Sequence, residues 1–211
     1  MYLSRVKIDI ENRKKMKKLN HLGAYHHWVE QCFPLEMKRG ERTRKLWRID
    51  LLEGNQYLLV VSEKKPDLEQ LETYGIYNSA ESKDYDLLMD RLAEGDRLRF
   101  RVKLNPIKSL SSGKRSGKRG RIIPLVTDGQ QRDFLIERSE INGFNLKNNE
   151  FAIVNKGFET LKRKGKELKV VSTTYEGILE VIDLKKFKRT LITGLGKKRA
   201  YGFGLLTVIP R

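Results

Sequence analysis

Three histidines, the full complement of the chain, fall within seven positions: His21, His26 and His27. An imidazole gives or takes a proton near neutral pH, so the cluster marks a centre for general acid–base catalysis. A lone helical histidine is more often an exposed residue with no role, and up to two of these three remain open to that reading. Tyr25 lies beside them and has the hydroxyl to orient a 2′-OH or a phosphate, although a tyrosine on an apolar stripe is more often simply packed. No paired carboxylates flank the histidines, and no His-x-x-x-His or Asp-x-Asp spacing occurs near them, which argues against metal catalysis. A serine hydrolase is equally unsupported, because there is no Gly-x-Ser-x-Gly elbow. The single cysteine, Cys32, excludes an internal disulfide and a cysteine-cluster zinc site, and among apolar neighbours it reads as a core thiol.

A second signal lies near the end, where Gly194, Gly196, Gly202 and Gly204 bracket Lys197, Lys198 and Arg199. Glycine lets backbone approach a phosphate and adopt positive φ, so amides and cations can bind one anion together. The spacing fits neither a Walker A loop nor a dinucleotide fingerprint. Its three cations are the first candidates to stabilise a pentacoordinate phosphate, ahead of Lys38 and Arg39. Two further basic clusters read as phosphate-binding. One is the turn Lys162, Arg163, Lys164, Gly165, Lys166 between two long strands; the other is the loop carrying Lys114, Arg115, Lys118, Arg119 and Arg121, with Asn105 and Lys108 at its base.

The charge supports a polyanionic partner: 44 Lys and Arg against 27 Asp and Glu, a net +17. It is unevenly laid out, with net charges of +8 over residues 1–49, −8 over 50–96 and +17 over 97–211. An acidic block between two basic ones indicates an oriented basic surface. No apolar run approaches the roughly 18 residues needed to span a bilayer, and the start alternates like a strand rather than a signal peptide. The expectation is therefore a cytoplasmic protein whose polyanionic partner is a nucleic acid or an anionic membrane surface. Cutting RNA without metal needs a base for the ribose 2′-hydroxyl and an acid for the departing 5′-oxygen, roles that suit histidine. A non-catalytic RNA-binding module is the rival reading, because fold and charge do not separate the two.

These groups need a frame, and 211 residues suit two small domains. Periodicity predicts a first strand carrying Val6, Ile8 and Ile10 on one face, a helix over 21–33 ended by Pro34, a hairpin of strands 45–52 and 56–62, a short helix opened by Pro66-Asp67, and a strand or loop near 74–79. After a turn at Glu94-Gly95-Asp96 the order repeats: a strand over 97–104 with its basic face outward at a sheet edge, a helix over 128–140, strands 151–162 and 168–182, a helix over 185–192 and a last strand over 203–209. The fold class is α+β, two tandem ferredoxin-like domains over 1–94 and 95–211.

The pattern Gly-x-Gly, five residues rich in Lys and Arg, Gly-x-Gly resembles the glycine-rich loop of CRISPR repeat-processing endoribonucleases. Met1-Tyr2-Leu3-Ser4-Arg5-Val6, the segment over 97–108 ending Asn105-Pro106-Ile107-Lys108, and Tyr175-Glu176-Gly177-Ile178-Leu179-Glu180-Val181 are similar to the CasE branch of that superfamily. The resemblance implies recognition of a repeat RNA stem-loop, a metal-independent cut at the 3′ base of the stem, no cofactor, and residence among the other Cascade subunits. It also implies a basic β-hairpin that enters the RNA groove. Helical spacing alone leaves His26 and His27 open; the family's catalytic histidine precedes a Phe-Pro pair by seven residues, which selects His26 ahead of Phe33-Pro34, with His27 in reserve.

Overall fold

The structure is a computed structural model describing residues 1–110, 121–163 and 165–210. It opens with β1 (Tyr2–Lys7), where Ser4 and Val6 turn inward; Ile8 is buried just beyond it, while Ile10 is exposed. Three helices replace the single one expected over 21–33: α1 (Arg13–Lys18), α2 (Leu22–Gln31) and α3 (Pro34–Arg39). Pro34 follows α2 as expected, but its fixed φ and missing N–H also suit the first turn of a helix, and it opens α3.

The hairpin of β2 (Lys45–Leu52) and β3 (Asn55–Ser62) turns through Glu53 and Gly54, both at positive φ. Asp67 caps α4 (Leu68–Leu71) by accepting the amides of Glu69 and Gln70. The last strand of this half is β4 (Glu81–Asp84) rather than 74–79, where the chain only touches the end of β1 through an Ile8–Gly75 bridge. The helix α5 (Asp86–Met89) follows. The sheet is antiparallel in the order β2-β3-β1-β4, that of a ferredoxin-like βαββαβ unit.

The second half runs through β5 (Arg97–Leu104), a short pair β6 (Ile107–Ser109) and β7 (Ile122–Pro124), and α6 (Asp128–Ser139) behind a Thr127/Gln130 capping box. Then come β8 (Phe144–Asn145), the long hairpin β9 (Phe151–Arg163) and β10 (Lys166–Val181), α7 (Leu184–Thr193) capped by Asp183, and β11 (Leu206–Pro210). The order is β11-β5-β10, with both β9 and β8 on the far side of β10. With the short additions set aside, this is the same ferredoxin-like order again.

One expectation fails. β5 is an interior strand between β11 and β10, and its Arg97, Arg101 and Lys103 meet carboxylates instead of forming an edge for phosphates. Arg101 pairs with Glu176 and, at 3.2 Å, with Asp50; Lys103 pairs with Glu159 at 2.6 Å. The alternation of charge along one strand was correctly outward from its own core, but the other half of the chain and the hairpin cover it.

The two halves complete each other's cores. Tyr85, Met89 and Leu92 share one apolar cluster with Phe100, Leu135 and Phe187. Trp28, Trp47 and Leu58 share the other with Leu161, Val170 and Phe203. Cys32 is buried in the second cluster, its Sγ 3.2 Å from the Trp28 carbonyl oxygen, and burial pushes its thiol up to about 12. A thiol reagent at pH 8 is therefore expected to leave the native protein unlabelled and to label it once guanidinium unfolds it, as read by intact mass. Among the described residues, no helix is long and apolar enough to cross a membrane.

Candidate active site

The helix α2 gives the three histidines three different environments. His21 is the N-cap, and its Nδ1 accepts the Ala24 amide at 3.1 Å, a structural task. His27 is exposed. His26 is half-buried, and its ring meets that of Tyr201 edge-on, centroids 5.2 Å apart. Burial is the main influence on His26 and pulls its pKa below the ordinary 6.5; Glu30 opposes this, while Arg42, Lys45 and His27 add to it. Tyr25 stacks on Trp47 at 5.8 Å, and burial, followed by the nearby Glu159, raises its phenol pKa. Tyr25 is therefore a packed, neutral side chain beside His26.

Tyr201 belongs to a 3-10 turn, Arg199–Tyr201, within the glycine-rich loop. All four loop glycines have φ between 78 and 85°. A Cβ on Gly202 would lie 2.6 Å from the Trp47 ring, and one on Gly204 would lie 2.4 Å from the Leu195 carbonyl oxygen. The Trp47 indole N–H donates to the Ala200 carbonyl at 2.9 Å. One β2 tryptophan thus seats both Tyr25 and the loop.

The amides of Gly194 and Gly204 are committed to the Thr190 and Lys103 carbonyls, so these two glycines serve the fold of the loop. Arg199 also ties the loop together, donating to the carbonyls of Thr193 at 2.8 Å and Gly194 at 3.2 Å. Burial, then the nearby Arg44, lowers its pKa. Lys197 is exposed, and Gly196 and Lys198 lie beside it, Lys198 at φ 61°.

The long hairpin reaches the same place. A Cβ on Gly23 of α2 would sit 2.9 Å from the Lys162 carbonyl oxygen, so glycine permits helix and hairpin to touch. Lys162 and Lys166 are exposed, Lys162 lying 3.8 Å from Glu167, and Arg163 ends β9 opposite Lys166. Lys164 lies outside the described residues, as do Lys114, Arg115, Lys118 and Arg119. Lys108 and Arg121 are exposed at the β6–β7 pair. Asn105 is interior instead: only 3% exposed, it donates its amide to the Val171 carbonyl at 2.7 Å and fastens β5 to β10.

Several site residues had no sequence signal. A pocket of about 380 Å³ beside His26 and His27 is lined by Glu30, Glu41 and Arg42 among others. Lys38 and Arg39 are exposed on α3 and are not among its lining residues. Arg42 and Arg44 stand in an ordinary charged run before β2, and Trp47 looks like any strand residue until β2 meets the loop. Among the described residues, no three His, Cys, Asp or Glu side chains come together to hold a metal ion.

The chain is similar to known proteins over its whole length. The Thermus thermophilus protein named CRISPR-associated endoribonuclease Cse3 is 30% identical over 222 residues, covering all of both chains. The solved structure of Thermus thermophilus Cse3 bound to an RNA representing a pre-cleavage complex has a TM-score of 0.79 and 28% identity, covering 99% of this chain and 98% of that one. Cas6e from Escherichia coli K-12 shares the fold, with a TM-score of 0.69 at 21% identity and full coverage of both chains. The family model described as CRISPR associated protein matches residues 1–210, and this chain belongs to that family.

Proposed function

We propose that this protein is an endoribonuclease that binds the stem-loop of a CRISPR repeat in precursor RNA, cuts it, and retains the product as a cytoplasmic subunit of Cascade. The observation that carries the reading is the meeting of His26, from the first ferredoxin-like unit, with Tyr201 and the cation-bearing glycine loop of the second. We take the boundary between the units at Glu94-Gly95-Asp96. His26, whose pKa burial holds below 6.5, takes the proton of the ribose 2′-hydroxyl on its neutral imidazole, and that proton then passes, directly or through water, to the leaving 5′-oxygen. The 2′-oxygen then attacks the adjacent phosphorus, and the P–O5′ bond breaks to give a 2′,3′-cyclic phosphate and a 5′-hydroxyl. Arg42, Arg44, Lys197 and Lys198 supply positive potential for the charge on phosphorus. Lys162, Lys166, Lys108 and Arg121 contact phosphates of the stem, which makes affinity salt-dependent.

The test is cleavage of a repeat hairpin in EDTA, with binding measured in parallel across salt. A cyclic-phosphate product, close to one turnover per enzyme at low salt, supports the reading. Salt-dependent binding with no cleavage would make the protein a non-catalytic RNA-binding module.

A further inference from the structure

Beneath His26 lies a chain of alternating charges that the reaction above leaves unused. Lys45 is buried, its side chain 2% exposed, with the ammonium 2.7 Å from Glu36 and 3.4 Å from Glu30 and set over the Phe33 ring at 4.8 Å. Glu36 is equally buried and already committed, accepting the Thr43 hydroxyl at 2.6 Å and the Thr43 amide at 3.2 Å. Hydrogen bonds from Lys45 and Thr43 outweigh its burial and keep its carboxyl pKa low. Glu30 is the partner with an oxygen to spare. Its Oε2 faces Lys45, while its Oε1 lies 3.9 Å from His26 Nδ1, one helical turn back on α2. A fixed carboxylate beside one imidazole nitrogen favours the tautomer that carries its proton there and leaves the other nitrogen as the acceptor.

We propose that Glu30, anchored by the buried Lys45, is a positioning residue that holds His26 with Nδ1 protonated and presents Nε2 to the RNA. The proposal rests on the catalytic reading of His26 and deepens it. The other charged or titratable groups facing His26 are Arg42 from the segment before β2, Lys45 from β2, His27 from α2 and Tyr201 from the glycine loop. Glu41 lines the same pocket but pairs with Lys64 at 2.7 Å, so Glu30 is the carboxylate whose oxygen faces the His26 ring. At 3.9 Å the contact is electrostatic; it has room to shorten into a hydrogen bond when bound RNA excludes water.

The experiment uses the full chain labelled with ¹⁵N, and long-range proton–nitrogen spectra of its imidazoles assigned with His26→Ala. In wild type, His26 is expected in the Nδ1–H form. In Glu30→Gln, which keeps an amide oxygen for Lys45 and so keeps the fold, the tautomer preference is lost and the His26 titration midpoint moves to lower pH. In the same variant the single-turnover cleavage rate falls tenfold or more, with hairpin binding unchanged. Glu30→Asp, which retains the charge at shorter reach, recovers part of both. An unchanged tautomer and midpoint in Glu30→Gln would overturn the proposal, whatever happens to cleavage. A changed tautomer with undiminished cleavage upholds the Glu30–His26 coupling and instead removes His26 from the proton transfer.

Discussion

Replacing His26 by alanine is expected to lower the single-turnover rate of hairpin cleavage by about 10²–10⁴-fold, the usual worth of a positioned acid or base, while binding stays near wild type. The His26 ring is half-buried edge-on against Tyr201, and alanine preserves the α2 backbone, so the substitution takes away chemistry more than structure. His27→Ala is expected to keep most of the rate, because that ring is exposed and the ring that meets Tyr201 of the glycine loop is that of His26. Loss of cleavage in His27→Ala with retention in His26→Ala would reverse the assignment.

The pH profile offers a second check. A base must be unprotonated, and burial holds the His26 pKa below 6.5, so the acid limb of the wild-type rate should fall below pH 6.5. Folding stability weakens in the same window, since the unfolded chain takes up that proton first as pH drops.

The largest effect on stability is expected at Arg48. Its guanidinium is 1% exposed and makes a bidentate pair with Asp50, both bonds 2.7 Å. It also donates across to the second half, to the carbonyls of Arg101 at 2.8 Å and Leu205 at 2.7 Å and to the Thr207 hydroxyl at 2.8 Å. Arg48→Ala strands a buried carboxylate and removes the donor of the Leu205 carbonyl, at a cost of about 3–5 kcal/mol, to be read as a lowered urea midpoint. Arg101, 3.2 Å from Asp50, compensates only in part. Arg48→Lys should recover little, because an ammonium cannot reproduce the planar fork. A loss under about 1 kcal/mol would mean that Asp50 escapes to water, in which case the halves are less firmly joined than these bonds imply.

Neighbouring residues of β2 divide the labour. Arg48 bonds across to β5 and the start of β11, while Trp47 seats Tyr25, Gly202 and Ala200 at the end that carries the glycine loop. The orientation of His26 toward the glycine loop is therefore set by the same strand that locks the two units together, and Arg48→Ala should depress cleavage as well as stability.

Much of this was legible along the chain because the signals are local. Alternation drew the inward faces of β1 and β5, Pro66-Asp67 marked a helix start, and the order of elements carried the ferredoxin-like repeat. Charge layout pointed to a polyanion, and the clustered histidines pointed to proton transfer. Local signals misled where a residue had two uses: Pro34 both ends α2 and begins α3, and the outward cations of β5 meet Asp50, Glu176 and Glu159 from elsewhere.

What only the tertiary structure decided is which of these groups meet. His21 became a helix cap, Asn105 an interior tie and Arg199 a brace for its own loop, while Glu30 and Arg42 joined His26, and Trp47 joined Tyr25 to the glycine loop, without any motif to announce them. Periodicity reports which face of an element is buried and charge reports what kind of partner suits it. Neither reports which other element will cover that face, because that depends on contacts between residues more than 150 positions apart, such as Trp47 with Ala200.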